Sequence, residues 1–274
     1  MEEIELNSWE EFESKIQRLF SLTELRREKA FSVVSQPLFR GHDDYDYPLE
    51  STLDRIQPNY TLSKYYSTLE KILITINSCT EHNWTIPKYI EPKTPYWFVP
   101  PAYNFMSYLR HHGFPSPLLD WSRSPYIAAF FAFNSHSYSS KVAIFSFIES
   151  MGYGKIGPPT RDDPAITGLG QYVTTHKRHY LQQSNYTICT KRINNEISFT
   201  KHQDVTTQAG LDSIMPEQDL EDIPEQDLLF KFILPASEKR TVLTKLDLMN
   251  INEYSLFGTE EALMGTLRNR EFPL

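Results

Sequence analysis

The sequence is poor in cysteine, which excludes two classes of protein. Its two cysteines, Cys79 and Cys189, are too few for the disulfide framework of a small secreted domain, and neither stands in the CxxC spacing of a zinc site. The phosphate-loop pattern GxxxxGK and the nucleophile-elbow pattern GxSxG are also absent. We therefore expect no bound metal, no phosphate-loop site and no serine-hydrolase site.

Positive charge and long apolar runs are also scarce. The net charge of −8 and a pI near 5.5 exclude a global basic field that would recruit nucleic acid, although a local basic groove is allowed. The acidic start MEEIEL lacks the basic residues and apolar run of a signal peptide, and no window reaches the length of a membrane span. The sequence predicts a soluble, cytoplasmic protein with no membrane partner.

The apolar spacing indicates helices and strands in mixed order. A first helix is expected after Ser8, which fits a capping box with Glu11, and another from about Thr61 to Ser78. The apolar run Val142 to Ile148 predicts a strand covered on both faces. Because the elements do not alternate as strict βαβ units, we predict the α+β class, with a mixed sheet flanked by helices.

The composition gives no sign of a second domain. Hydrophobic residues make up 40% of the chain and aromatic residues 14%, which is typical of a globular protein with a large core. No break in composition divides the sequence. We therefore predict one domain over residues 1–274, with a helical lead-in at 1–37 and a core at 38–267.

One stretch, Tyr108 to Phe133, concentrates the chemically interesting residues. A doubled histidine at His111 is followed by a turn, and residues 120–122 then place an acid, an indole and a hydroxyl side by side. Ser124 and the proline after it form a typical helix start, and the residues beyond are apolar almost all round. This pattern predicts a buried helix whose N-terminal approach directs polar groups into a pocket.

Four short motifs occur in a fixed order along the chain, and together they resemble the FRG domain family, which is named after the first of them. They are Phe39 to Gly41, the run from His111 to Ser122, Gln208-x-Gly210, and Ser255 to Gly258. The second motif is the specific one. It departs from the usual pattern in having His112 for an aromatic residue, Ser116-Pro117 for Thr-Arg, and Ser122 for Thr.

The order of these motifs is also similar, more loosely, to that of ADP-ribosyltransferases. This resemblance implies an ADP-ribosyltransferase-like core and NAD as a substrate, without a metal. It further implies a macromolecular acceptor, either protein or nucleic acid, and a cognate inhibitor or antitoxin as possible partners. Because FRG members occur in bacterial and phage-associated proteins, some of them in anti-phage defence, a toxin or defence effector is the expected biological role.

The resemblance assigns roles residue by residue. Catalysis is expected from Arg40, Ser122 and Gln208. Arg40 would hold the pyrophosphate as a planar fork, and Ser122 would fix that arginine or a ribose hydroxyl. The residues expected to bind the cofactor are Arg40, Gly41, Tyr108, His111, Asp120 and Trp121, with Trp121 or Tyr108 stacking on nicotinamide. The group that binds the ribose 2′-hydroxyl is left open between Gln208, Glu196 and Glu50, with Asp120 as a further choice.

Each residue also has a purely structural interpretation. Gly41 directly after Arg40 predicts a sharp turn at a strand end, and Arg40 could form a buried ion pair with Asp120 or another acid. Asp120 itself suits a structural acid bonded to backbone donors, and the histidines could be packing residues. His176 and His179 have helical spacing but no third ligand for a metal.

Two other functions remain open. A non-catalytic recognition module would use the same residues to stabilise the fold and would bind a partner through aromatic loops at Tyr45 to Tyr47 and at Tyr96-Trp97. A nuclease-like toxin that uses the histidines is disfavoured by the acidic composition and the missing metal spacing.

Overall fold

The computed structural model describes residues 1–30, 32–94, 98–134, 137–152, 155, 163–170, 177–205 and 226–272. In this part of the chain the strands are β1 (Glu2–Glu5), β2 (Leu38–His42), β3 (Leu119–Ser122), β4 (Lys141–Ser150), β5 (Ala165–Gly170), β6 (Ser184–Ile193), β7 (Glu196–Phe199) and β8 (Gln226–Pro235). The helices are α1 (Trp9–Lys29), α2 (Thr52–Ile56), α3 (Leu62–Cys79), α4 (Tyr103–His111), α5 (Pro125–Phe133), α6 (Lys177–Leu181), α7 (Lys239–Leu248), α8 (Glu253–Phe257) and α9 (Glu260–Glu271).

The strands form one mixed sheet in the order β1-β8-β4-β2-β3-β6-β5, with β7 paired to β6. β1 runs parallel to β8, and the other pairings are antiparallel. The predicted α+β class, with a mixed sheet flanked by helices, is therefore confirmed. An ADP-ribosyltransferase-like core stays a prediction. Among the described helices, none has both the length and the apolar content needed to cross a membrane.

The centre of the sheet is weakly joined. β2 is paired with β4 along its whole length, from Leu38 to His42, and β3 is paired with β6 along its whole length. β2 and β3 themselves share one register pair, Phe39 with Ser122. The sheet therefore divides into two halves that diverge beyond this pair.

The first 37 residues contribute more to the fold than the helical lead-in predicted from the sequence. β1 adds a strand to the sheet edge, and α1 buries Trp9 and Phe12 against β8 and α5. Ser8 caps α1 as predicted, accepting from the backbone N–H of Glu11 at 3.3 Å. The Glu11 carboxylate, however, accepts from the N–H of Asn7 rather than from that of Ser8, so the predicted capping box is not closed.

Helix α5 lies directly on β2, and Gly41 makes this approach possible. A Cβ atom at position 41 would lie 2.0 Å from the carbonyl oxygen of Ala128 and 2.6 Å from the backbone nitrogen of Ala132. The neighbouring Phe39 side chain is fully buried in the same core. The sharp turn predicted at Gly41 is wrong, because β2 continues through it to His42; the glycine is needed for close packing instead.

We expect Gly41→Ala to destabilise the protein by about 3 kcal/mol or more, since the new methyl group meets helix backbone that cannot move aside. Chemical denaturation measures the loss. Gly113→Ala is the matched control, because position 113 has open space around it but a φ of +79°, so its cost is the backbone strain of about 1–2 kcal/mol alone. Equal losses in the two variants would contradict the close-packing explanation.

Candidate functional site

A cleft of about 500 Å³ opens where β2 and β3 diverge. This volume is within the usual range for small-molecule sites. The walls come from both halves of the sheet, from the loop after β2, and from helices α2, α4, α5 and α8. The side chains that matter for the argument are Arg40, His42, Tyr47, Arg55, His111, Asp120, Ser122, Phe131, Tyr186 and Phe257.

Arg40 spans the division between the two halves of the sheet. Its Nη1 donates to the backbone carbonyl of Asp120 on β3 at 2.7 Å, and its Nε donates to Nε2 of His42 at 3.0 Å. Nη2 makes no hydrogen bond to a residue in the described part of the chain. Burial lowers the pKa of Arg40 to about 10, against the opposing effect of the Asp120 carboxylate, so the guanidinium stays charged at neutral pH.

His42 is held neutral beside this guanidinium. Burial, and then the charge of Arg40, lowers the pKa of His42 to about 3. A neutral imidazole accepts through one ring nitrogen, which agrees with the bond from Arg40 to Nε2. His42 therefore orients Arg40 and is a functional candidate that the sequence patterns did not reveal.

The carboxylate of Asp120 is bound by Arg110 of α4, not by Arg40. Nε of Arg110 donates to Oδ1 at 2.6 Å, and Nη2 forms an ion pair with Oδ2. Burial acts to raise the pKa of Asp120, but Arg110, followed by Arg40 and His111, more than offsets it, and the pKa lies below its usual range. The predicted ion pair of Arg40 with Asp120 is thus replaced by a contact to the Asp120 backbone.

Asp120 is also not the acid bonded to backbone donors that its position before Trp121 suggested, because its partner is a bidentate guanidinium. The Asp120 side chain keeps 39% of its area exposed, and Asp120 lines the cleft. A carboxylate that is held ionised and also reaches a pocket is suited to stabilise positive charge in a bound ligand.

Ser122 fastens the end of β3. Its hydroxyl donates to the carbonyl of Gln182 at 2.9 Å and accepts from the N–H of Ser124 at 3.1 Å, which ties the strand to the start of α5. The hydroxyl proton of Ser122 is therefore donated to the Gln182 carbonyl, and the Ser122 side chain makes no hydrogen bond to Arg40. Ser122 lines the cleft, but its hydrogen bonds are those of a positioning residue.

Trp121 faces the core rather than the ligand side of the strand. It is 2% exposed, packs against Phe147, and donates from its indole nitrogen to Thr187 at 2.8 Å. Successive side chains on a strand point to opposite faces, so Asp120 and Ser122 lie on the other side from this indole. Trp121 borders the cleft without offering it a free ring face.

A histidine and a tyrosine form the wall next to Asp120. Nε2 of His111 and the hydroxyl of Tyr186 are 2.9 Å apart, and His179 stacks on the Tyr186 ring at 5.5 Å between centroids. Burial, and then the charge of Asp120, raises the pKa of Tyr186, so the phenol is neutral. His111 is exposed at the end of α4, where a ligand in the cleft can reach it.

Tyr108 lies outside this wall. It belongs to an aromatic cluster with His82, Trp84, Phe105 and His112, at ring distances between 4.4 and 6.3 Å, and it is not a lining residue of the cleft. The role of nicotinamide stacking predicted for Tyr108 therefore has no support in its position. Tyr47, Phe131, Tyr186 and Phe257 are lining aromatics for which the sequence motifs predict no stacking role.

The last motif, Ser255 to Gly258, shapes the rim of the cleft. α8 ends at Gly258, whose φ of +66° is in the left-handed region that favours glycine. The Gln182 side chain donates to the Leu256 carbonyl at 3.3 Å, and Phe257 makes an edge contact with Phe131 at 6.1 Å. The motif thereby places Phe257 over α5 at the cleft.

The candidates for the ribose-binding acid are separated by the fold. Glu196 is exposed at the start of β7, opposite Ile193, and does not line the cleft. Glu50 is buried, and its carboxylate forms ion pairs with Arg55 at 3.5 Å and with Lys201 at 2.7 Å. Gln208 and Gly210 lie outside the described residues, as do Tyr96, Trp97 and His176. Of the candidates that the structure describes, Asp120 is the one that lines the cleft.

A further pattern, Gly-x-Gly-x-x-Gly, occurs at Gly152, Gly154 and Gly157. In a dinucleotide-binding turn it would follow a strand and open a helix. It does follow β4, but Gly154 and Gly157 lie outside the described residues, and the next described element is the strand β5. Within the described residues no group of three or more metal-ligating side chains occurs either.

We expect Arg110→Gln to lower the free energy of unfolding by about 1–3 kcal/mol at pH 7, less than for a fully buried pair because Asp120 is partly exposed. The depressed pKa of Asp120 adds stability above the ordinary aspartate pKa of about 4 and loses it as the pH falls further. The deficit of the variant should therefore shrink at pH 3. Urea unfolding at both pH values, with Arg192→Gln as control, measures it; a deficit independent of pH would contradict the ion pair.

Comparison with known proteins bears on the first half of the chain. The FRG domain model matches residues 35–141, less than half of the chain, and this range contains the Phe39–Gly41 motif and the run from His111 to Ser122. The match supports the resemblance to the FRG family. A search of the curated proteins and a search of the solved structures gave no match.

Proposed function

We propose that this protein consumes NAD in the cleft between β2 and β3, breaking the bond between nicotinamide and ribose and passing ADP-ribose to water or to a macromolecular acceptor. One observation carries the proposal. A charged arginine with an uncommitted Nη2 and an ionised aspartate line the same cleft, together with aromatic side chains that include Tyr47, Phe131, Tyr186 and Phe257. NAD combines an anionic diphosphate, a cationic nicotinamide and planar rings, which these groups complement.

The diphosphate would bind at the arginines. Arg40 offers Nη2, and Arg55, which is 49% exposed on its side chain, lines the same cleft. Guanidinium groups bind phosphate oxygens as planar forks, and two of them suit a diphosphate better than a single lysine does. The chain has a net charge of −8, so this local pair is a specific attraction rather than part of a general basic field.

The aspartate would act on the other end of NAD. Heterolysis of the C1′–N bond leaves the electron pair on the nicotinamide nitrogen and positive charge on the ribose carbon. The Asp120 carboxylate, fixed by Arg110, would stabilise this charge as it develops. Capture by water gives ADP-ribose and one proton, and capture by an acceptor hydroxyl, amine or carboxylate gives the ADP-ribosylated acceptor, with loss of the proton from a hydroxyl or an amine.

Asp120→Asn tests the proposal. The amide keeps the size of the side chain but removes its charge, so we expect nicotinamide release to fall about 100-fold or more. Glu196→Gln is the matched control, because it removes one exposed carboxylate outside the cleft and should release nicotinamide at the wild-type rate. Chromatography of NAD reactions, with melting curves for the three proteins, gives the measurement.

Arg55→Gln is the second variant, since Arg55 lines the cleft without crossing the sheet division. We expect weaker NAD binding, seen as a higher KM, with only a small loss of stability because Lys201 still pairs with Glu50. Absence of nicotinamide release from wild-type protein, even with cell lysate supplied as acceptor, would refute the proposal. Release that survives Asp120→Asn but not Gln208→Ala would move the charge-stabilising role to Gln208.

A non-catalytic recognition module is the second candidate, and the contacts of Arg40 and Ser122 favour it. Arg40 holds the two halves of the sheet together through the Asp120 carbonyl, and Ser122 ties β3 to the residues before β6 and to the start of α5. If that is their whole purpose, Arg40→Ala will melt early and the wild-type protein will leave NAD intact. The FRG match itself is compatible with either candidate, and a role in bacterial defence, with an inhibitor or antitoxin as partner, belongs to both proposals.

A further inference from the structure

A second cavity, of about 320 Å³, lies among the C-terminal helices. Its apolar floor is formed by Phe130 of α5, Leu243 of α7 and Ile251. Around this floor stand four basic side chains and two acidic ones: Lys239, Arg240, Arg268, Arg270, Asp247 and Glu253. The sequence patterns gave no indication of this site, because its residues come from α5, from the three helices that follow β8, and from the loops beside them.

The two acidic side chains are already engaged. Asp247 accepts two hydrogen bonds from Arg270, both at 2.8 Å, and a third from Asn252 at 2.9 Å. Glu253 accepts from the side-chain amide of Asn134 at 2.9 Å. Asp247 therefore neutralises Arg270, and Glu253 is bonded to a neutral amide.

Arg240 and Arg268 have no carboxylate partner among the described residues. Arg268 donates to Oδ1 of the adjacent Asn269 at 3.4 Å, and Arg240 makes no such contact. Burial, and then the charge of Arg268, lowers the pKa of Lys239, which places these two cations within each other's field. Like charges held together at a cavity, in a protein with a net charge of −8, indicate a place for a bound anion.

We propose that this cavity is a second binding site, for a small molecule that carries a phosphate or diphosphate group. The guanidinium groups of Arg240 and Arg268 would bind the phosphate oxygens, and the apolar floor would cover the body of the ligand. The volume is at the lower end for ligand pockets and smaller than that of the cleft, which suits a mononucleotide or a sugar phosphate.

Calorimetric titration of the full chain with AMP and with inorganic pyrophosphate tests this site without reference to catalysis. We expect binding in the wild type and a loss of about tenfold or more in affinity for Arg240→Gln combined with Arg268→Gln, because two charge-assisted contacts are removed. Arg27→Gln combined with Arg192→Gln is the matched control. It removes the same charge from side chains that line neither pocket, and should bind like wild type.

Three outcomes would overturn the proposal. An equal loss of affinity in the Arg27/Arg192 control would mean that binding depends on the overall charge of the protein and not on this cavity. A loss seen in Arg55→Gln but not in the Arg240/Arg268 variant would locate the phosphate in the cleft. Tighter binding of a short single-stranded oligonucleotide than of AMP, lost in the same double variant, would make the site one for nucleic acid. Because the readout is binding, absence of NAD turnover leaves the test intact.

Discussion

The structure depends on one weak junction in the sheet. β2 and β3 meet at a single register pair, Phe39 with Ser122, and then diverge. If β2 and β3 were paired along their whole length, their backbones would close the opening between them. If they were not paired at all, the strands would form two separate sheets. Arg40 compensates by carrying a hydrogen bond across the gap to the Asp120 carbonyl, so the opening exists and is still braced. The same side chain therefore holds the fold and lines the cleft that the divergence creates.

Two arginines near this junction bind different parts of Asp120: Arg110 binds its carboxylate and Arg40 its backbone carbonyl. Arg110 binds the Asp120 carboxylate, which leaves Arg40 free to bond the backbone and to present Nη2. Had Arg40 paired with the Asp120 carboxylate directly, its guanidinium would be occupied and Nη2 would not be available to a ligand. The Arg110–Asp120 pair also fixes the orientation of the Asp120 carboxylate at the cleft.

The sequence predicted the members of the site that are neighbours along a strand. Two pairs of residues line the cleft together because each pair shares a strand: Arg40 and Gly41 on β2, and Asp120 and Ser122 on β3. A sequence motif contains such pairs because their members are close along the chain. The partners from other elements could not be predicted in the same way. Arg110 is two residues from Tyr108 on α4, and which of them faces Asp120 depends on how that helix packs. The motif suggests Trp121 both as a core residue and as a ligand contact, and it does not reveal the strand β3, whose alternation turns Trp121 to the opposite face from Asp120 and Ser122.

Helices α5 and α8 connect the two pockets physically. On α5, Phe131 faces the cleft and Phe130 lies on the floor of the C-terminal cavity; on α8, Phe257 and Glu253 divide in the same way. Because α5 is packed against Gly41 without a Cβ between them, it cannot shift toward β2. α8 is short and is held by side chains at its ends, including the bond from Gln182 to Leu256. Both helices therefore contribute side chains to both pockets, and α5 is the one packed directly against β2.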